Sequence, residues 1–468
     1  MTAVSTRPDD PAGTASAARR TLAVASGAGF LAFLDLSVVN IAFPTIADTY
    51  PGTATSTLTW IVSGYAIAFA ALLTPAGRFA DVLGRRRLFA LALTGFAVTS
   101  LLCGLAPSAT WLIAARILQG MTAAFMVPAA MGLVLAATPR ERIGAAMGVW
   151  TAAGGFAAVI GPAIGGALVE TLGWRGVFLV NVPVALALIV PGLRLPATDD
   201  PQRDTALPDP LGMLAVALGL GSMVAAVTEG QNWGWTAPGT LAALLGGTAL
   251  VLFALVRSRR HPAPALAVTL WRNRQFALAN AGSFLFAATM FAWLLAGPLF
   301  LDRIWGYSVL ESAAALTAGA VAAMVTSMII GRITTPMGQR WAGVVGALMY
   351  TAGLAWMSTD AFGTDPALWS AWIPAGLLGG GGIGVVVTVY GTVAARSVPP
   401  QQFATGIGMN VTARQVGGAF GIAVLAAVFT VVPDEPVRAF HLVFAVGAAI
   451  GLAVAALLAL SHTTDDQL

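Results

Sequence analysis

No lysine occurs among the 468 residues, so all 24 basic side chains are arginine. A phosphate-binding P-loop needs its lysine to reach the β- and γ-phosphates, which excludes ATP-driven work of that kind. Cys103 is the only cysteine, leaving no internal disulfide and no cysteine-built metal or iron–sulfur site. The three histidines, His261, His441 and His462, share no ligand spacing, so neither a metal nor a cofactor is expected. Charge is scarce as well. Charged residues make up 9% of the chain, against roughly 25% in soluble proteins, while 57% are hydrophobic and the mean hydropathy is +0.82. So little polar surface cannot cover a water-soluble domain, which excludes a soluble enzyme, a nucleic-acid binder and a disordered chain. What is present instead is a series of long apolar runs, read as the helices of an all-α, multi-pass membrane protein.

A bilayer core takes about 20 apolar residues per helix. By that measure the spans fall at 23–46, 57–76, 88–106, 110–136, 144–168, 177–195, 211–228, 237–256, 276–301, 309–331, 341–358, 371–394, 403–431 and 438–460, fourteen in all. Arginine placement tests the count. With the amino terminus inside, sixteen arginines from Arg7 to Arg396 fall in cytoplasmic segments and three, Arg175, Arg303 and Arg438, in outer ones. This is the asymmetry of the positive-inside rule, and it places both termini in the cytoplasm. Residues 1–20 are polar and are expected to form a disordered cytoplasmic tail. Polar linkers near 196–210 and 257–275 divide the rest into a six-helix bundle (21–196), a linker with a two-helix insert (197–260) and a second six-helix bundle (261–462), followed by a short tail (463–468).

An internal repeat supports two related halves. Gly77-Arg78-Phe79-Ala80-Asp81-Val82-Leu83-Gly84-Arg85-Arg86-Arg87 follows the second span, and Gly331-Arg332-Ile333-Thr334-Thr335-Pro336-Met337-Gly338-Gln339-Arg340 follows the tenth. Both copies sit at the cytoplasmic end of the second helix of their half, and duplicated halves are a common transporter design.

The first copy resembles motif A of the major facilitator superfamily, G-x-x-x-D-x-x-G-R-R/K. That resemblance implies a conformational latch made by Gly77, Asp81, Gly84, Arg85 and Arg86 that holds the outward-open state. Thr335 in place of the aspartate implies a weakened latch in the second half. Gly161-Pro162-Ala163-Ile164-Gly165-Gly166 resembles motif C, an element associated with exporters. Gly154, Ala158, Gly161 and Gly165 lie on one helical face suited to close packing, and Pro162 bends the helix. Phe33-Leu34-Asp35-Leu36-Ser37-Val38-Val39-Asn40-Ile41-Ala42-Phe43-Pro44 is similar to the first-helix signature of the fourteen-helix drug:proton antiporters, with Ser37 where threonine is usual. Asp35 falls near mid-membrane, where an ionised carboxylate costs about 2.5–3.5 kcal/mol or more, which suits a carrier of exchangeable protons. Asn40, some 140° round the helix at 100° per residue, is expected to face a neighbouring helix. Arg116-Ile117-Leu118-Gln119-Gly120 resembles motif B, R-x-x-Q-G, and Arg116 is expected to pair with Asp35; a snorkelling arginine at the outer interface is the alternative. Asn410-Val411-Thr412-Ala413-Arg414-Gln415-Val416-Gly417-Gly418 and Glu229-Gly230-Gln231-Asn232-Trp233-Gly234-Trp235 match two further runs of the same family.

Together these implications describe a fourteen-helix antiporter that exports a small amphiphilic compound, such as a drug or antibiotic, against protons by alternating access. Its setting would be the bacterial plasma membrane, as a monomer, with no nucleic-acid partner and no enzymatic activity. Trp60, Tyr65, Gln119, Asn410 and Arg414 are the candidate substrate cavity. The interior of the tenth helix holds no acid, since Glu311 lies at its outer end, which argues for a monocationic, neutral or anionic cargo. An importer of a small metabolite and a non-transporting membrane sensor or scaffold are the rival readings.

Overall fold

The computed structural model describes residues 11–195, 208–333, 335–432 and 435–460; the amino-terminal ten residues, most of the 196–210 linker and the carboxyl-terminal tail lie outside them. The first half contains α1 (Pro11–Thr49), α2 (Trp60–Leu83), α3 (Arg85–Gly104), α4 (Ala109–Ala136), α5 (Ile143–Leu172) and α6 (Asn181–Leu193), the last preceded by a helical turn over Gly176–Leu179. The insert is α7 (Pro210–Trp233) and α8 (Pro238–Ser258). The second half contains α9 (Arg274–Arg303), α10 (Val309–Ile330), α11 (Pro336–Met357), α12 (Ile373–Arg396), α13 (Phe403–Val431) and α14 (Pro436–Leu460). Each lies over one of the fourteen expected spans. Thirteen helical segments are long and apolar enough to cross a bilayer. The remaining helix, α11, has the length but carries Arg340, Trp341 and Trp356, which lower its hydropathy.

The expectation of a disordered tail over residues 1–20 is corrected for residues 11–20, which are helical and continuous with the first span. Their sequence, PAGTASAARR, is rich in alanine and carries two arginines, both strong helix formers. Extending an existing helix adds a hydrogen bond per residue without a new nucleation cost. Proline at the first helical position loses no bond.

Large apolar side chains from Leu91 to Leu460 point outward along the bundle, the surface that lipid would cover. The halves meet along two seams, α2 against α13 and α5 against α10. Helix α7 packs on both α2 and α13, whereas α8 packs chiefly on α7. The insert therefore touches the seam between the halves as well as lying beside it. Gly84, with φ +102°, makes the single-residue turn between α2 and α3, a conformation that a side chain would strain. Ser308 and Glu311 form a capping box at the start of α10, which accounts for that acid as a helix cap.

Candidate functional site

Asp35 and Arg116, distant in sequence, meet in the core of the first half, where neither side chain has any solvent exposure. Arg116 Nη1 donates to Asp35 Oδ2 at 2.6 Å and to Gln119 Oε1 at 2.6 Å, and its Nε donates to the Ile61 carbonyl at 2.9 Å. A snorkelling position for Arg116 is thereby excluded. Asp35 Oδ1 accepts from Gln119 Nε2 at 3.1 Å and Asn181 Nδ2 at 2.8 Å. Ser100 Oγ accepts from the same two amides, and the Cys103 thiol lies against Gln119 Oε1 at 3.6 Å. The Tyr65 ring lies 4.3 Å from the guanidinium carbon, within cation–π range. Five helices and the aromatic face thus hold one buried ion pair, in which Arg116 Nη2 alone has no hydrogen-bond partner among the described residues; such close pairing is the condition under which burying it is tolerable.

Two candidate cavity residues are corrected here. Gln119 and Tyr65 are fully buried around Arg116 and are not among the residues lining the cavity between the halves. Gln119 stands one turn after Arg116 on α4, so both point into the same packed core. Ser100 and Asn181 were not singled out from the sequence. A polar side chain inside an apolar run was the signal available for each.

The motif A residues form a contact between the halves. Asp81 Oδ2 accepts from Thr405 N and Thr405 Oγ1, each at 2.7 Å, and Oδ1 accepts from Ala404 N at 3.3 Å. These donors lie in the first turn of α13, where unpaired N–H groups favour an anion. Arg85 Nε holds the carboxylate from one turn along at 2.8 Å, and its Nη2 reaches the Pro400 carbonyl of the other half. Arg86 Nη1 donates to the Leu195 carbonyl at 2.9 Å. A Cβ at Gly77 would fall 2.4 Å from the Ala404 carbonyl oxygen, so this approach admits only glycine. In the second copy, the Thr335 hydroxyl accepts from Gly338 N of its own helix, and the α5–α10 seam closes through Gly144, Gly148 and Gly331.

In motif C, a Cβ at Gly161 would lie 2.3 Å from Ser37 Oγ, and one at Gly165 would lie 3.3 Å from Val38 and Ile41. Gly154 faces Phe33. The small-residue face therefore seats α5 on α1, close to Asp35 in sequence. Ala158 is exposed, and the fully buried Ala157 completes the face in its place. A Cβ at Gly166 would meet nothing within 4 Å, so this packing does not require glycine there. Pro162 lies inside the continuous helix.

Away from the motif A contact, a cavity of about 490 Å³ opens between the halves and the insert. Asn40 and Phe43 of α1, Val62, Ser63 and Ala66 of α2, Glu229 and Asn232 of α7, Phe291 of α9 and Gln415 of α13 contribute to its wall. The expectation that Asn40 faces a neighbouring helix is thus corrected: it is exposed, its Nδ2 donates to the Leu36 carbonyl, and it borders this cavity. Trp60 stacks on Trp233 beside it, centroids 6.4 Å apart. Asn410 is buried and donates to Ser283 Oγ at 3.0 Å, joining α13 to α9 instead of lining the cavity, because α9 packs along that face of α13. Arg414 is half-buried, one residue before Gln415, and is not among the residues lining this cavity.

The profile of the Major Facilitator Superfamily matches residues 25–422 and 278–466. The chain belongs to this superfamily. It is 37% identical over 422 residues to the puromycin resistance protein of Streptomyces alboniger, covering 87% of this chain and 81% of that one. It is 32% identical over 435 residues to the probable actinorhodin transporter of Streptomyces coelicolor, covering 90% and 75%. The tetracenomycin C resistance and export protein of Streptomyces glaucescens is 30% identical, covering 88% and 77%. Among solved structures, the human organic anion transporter MFSD10 superposes with a TM-score of 0.72 at 16% identity over 97% of this chain and all of that one, a likeness of fold. As a member of the superfamily the protein is a multi-pass membrane transporter of small molecules and not an enzyme.

Proposed function

We propose that this transporter exports a small amphiphilic compound, of the drug or antibiotic kind, across a bacterial plasma membrane in exchange for protons. Both termini are cytoplasmic in this reading, and the working unit is a monomer. The motif A contact then closes the cytoplasmic side, and the cavity opens outward. The observation that carries the reading is the sealed Asp35–Arg116 pair. A carboxylate held in the membrane core by one guanidinium and two amides has two arrangements open to it: ionised with the full set of bonds, or neutral with the guanidinium freed from it. Switching between them is what a proton-coupled carrier needs. The names of the Streptomyces relatives support export of an antibiotic-like cargo over import, and no observation favours an importer or a scaffold.

The test uses purified protein in liposomes with a compound chosen from a susceptibility panel in an efflux-deficient host. An imposed pH gradient is expected to drive uphill movement of that compound with counterflow of protons. The Asp35→Asn variant is expected to insert and fold but to lose gradient-driven movement. Uphill transport without proton flow, or an undiminished Asp35→Asn variant, overturns the reading.

A further inference from the structure

Glu229 is an acid near the end of the insert helix α7, where its apolar length runs out, and is 2% exposed, yet it borders the 490 Å³ cavity between the halves. Its Oε2 accepts from Asn232 Nδ2 at 2.8 Å. Among the described residues no basic side chain pairs with it, and no basic side chain lines that cavity. The remaining polar groups on the wall are amides and hydroxyls, including Asn40, Ser63 and Gln415, and the apolar part includes Phe43 and Phe291. One carboxylate in an otherwise neutral, partly aromatic space of this size is the chemistry that recognises one positive charge on an apolar body. A basic side chain, Arg303, lines the adjoining space of about 200 Å³, which shares Thr228 and Ile422 with the larger cavity.

We propose that Glu229 anchors a single positive charge on the transported compound, so that the two-helix insert supplies the charge-selecting residue of the binding cavity. This rests on the exporter reading for the word "transported", but the binding site can be tested apart from it. A cation seated there would be held from α7, with α1, α2, α9 and α13 closing round its apolar groups. The preference follows from the sign of the wall. A monocation gains a partner in a site poorly reached by water, an anion of the same shape meets a like charge, and a dication leaves its second charge unpaired.

The experiment measures equilibrium binding to the purified, detergent-solubilised protein with no gradient present. The two probes are tetraphenylphosphonium and tetraphenylborate, which match in shape and differ in charge. The wild type is expected to bind the phosphonium at least about tenfold tighter than the borate, the scale of coulombic attraction to a carboxylate that water reaches poorly. Glu229→Gln is expected to lose about tenfold or more for the phosphonium and none for the borate. Adding Asn40→Asp to Glu229→Gln returns a carboxylate to the same cavity and is expected to restore the preference, which guards against a merely misfolded single variant. No phosphonium binding by the wild type, equal binding of the two ions, or unchanged phosphonium affinity in Glu229→Gln overturns the proposal. Charge-selective binding together with transport that moves no protons would leave this site standing and overturn the antiport reading alone.

Discussion

Removing the Asp81 carboxylate tests whether the motif A contact holds the two halves together at one end. In the structure it accepts three hydrogen bonds from the first turn of α13, two from backbone N–H groups and one from the Thr405 hydroxyl. When the halves part at this end, Arg85 can stay with Asp81, since both lie one turn apart in the same half; of the bonds that the carboxylate itself makes, only those to α13 are lost. Hydrogen bonds to a charged acceptor contribute about 1.5–3 kcal/mol each, but water replaces part of each on opening. A net preference of about 2–4 kcal/mol for the closed arrangement follows, or roughly 30- to 1,000-fold in population. Asp81→Ala should therefore move most molecules away from the closed arrangement, and Thr405→Val should do so less, because the two N–H donors remain. The assay is the distance between spin labels at positions 87 and 332, exposed sites on opposite halves near this end, in a Cys103→Ser background. A distance distribution in Asp81→Ala that matches the unsubstituted double-labelled protein refutes the reasoning.

Two other outcomes follow from the same contacts. Arg116→Leu should destabilise the fold by about 3–5 kcal/mol, because it strands the Asp35 carboxylate in a dry core; Asp35→Asn/Arg116→Leu should recover most of this, read as thermal unfolding of the four members of the cycle. At the start of the insert, two hydrogen bonds from Arg257 hold the Asp209 carboxyl below the usual aspartate range. Since the unfolded chain binds that proton more readily, the contribution is full above about pH 4 and is lost as pH falls through the depressed folded value. The melting-temperature gap between wild type and Asp209→Asn should therefore close on acidification, and a gap that widens contradicts the assignment.

Much of the architecture was legible because a membrane makes span length and arginine sidedness visible in one dimension. All fourteen runs became helices for that reason. The Asp35–Arg116 pairing was legible too, since a buried charge needs a partner and the half offered few. Which residues share the cavity was less so. Gln119 and Tyr65 looked like cavity material by type, and the structure uses them to satisfy the ion pair. Asn40 looked like a packing residue by its angle from Asp35, and that same angle turns it toward the cleft. Helical position alone gives the face of a residue but not what stands opposite, and only the packing of α7 against α2 and α13 made a wall that includes Glu229.

The separation of the buried pair from the cavity limits how proton and cargo can influence each other. Asp35, Arg116 and Gln119 are not among the residues lining the cavity, so a cargo resting there does not compete directly for the carboxylate. The element common to both is α2. Its Ile61 carbonyl holds Arg116 and its Tyr65 ring lies on the guanidinium, while Val62, Ser63, Ala66 and Ala70, on another face, border the cavity. Further along, Thr74 bonds to Thr412 of α13 at 2.8 Å, and Gly77 and Asp81 make the motif A contact. From Ile61 to Asp81 is about 30 Å at the helical rise, a length that this one continuous helix spans with Pro75 inside it. On the antiport reading, neutralising Asp35 frees Arg116 from the acid but leaves it tied to α2 through Ile61, so the force falls on the helix that also shapes the cavity and closes the far end. Cargo binding shifts the same helix from its other face. Coupling of this kind is reciprocal: whatever arrangement of α2 the proton favours, the cargo must disfavour, without the two ever sharing a site.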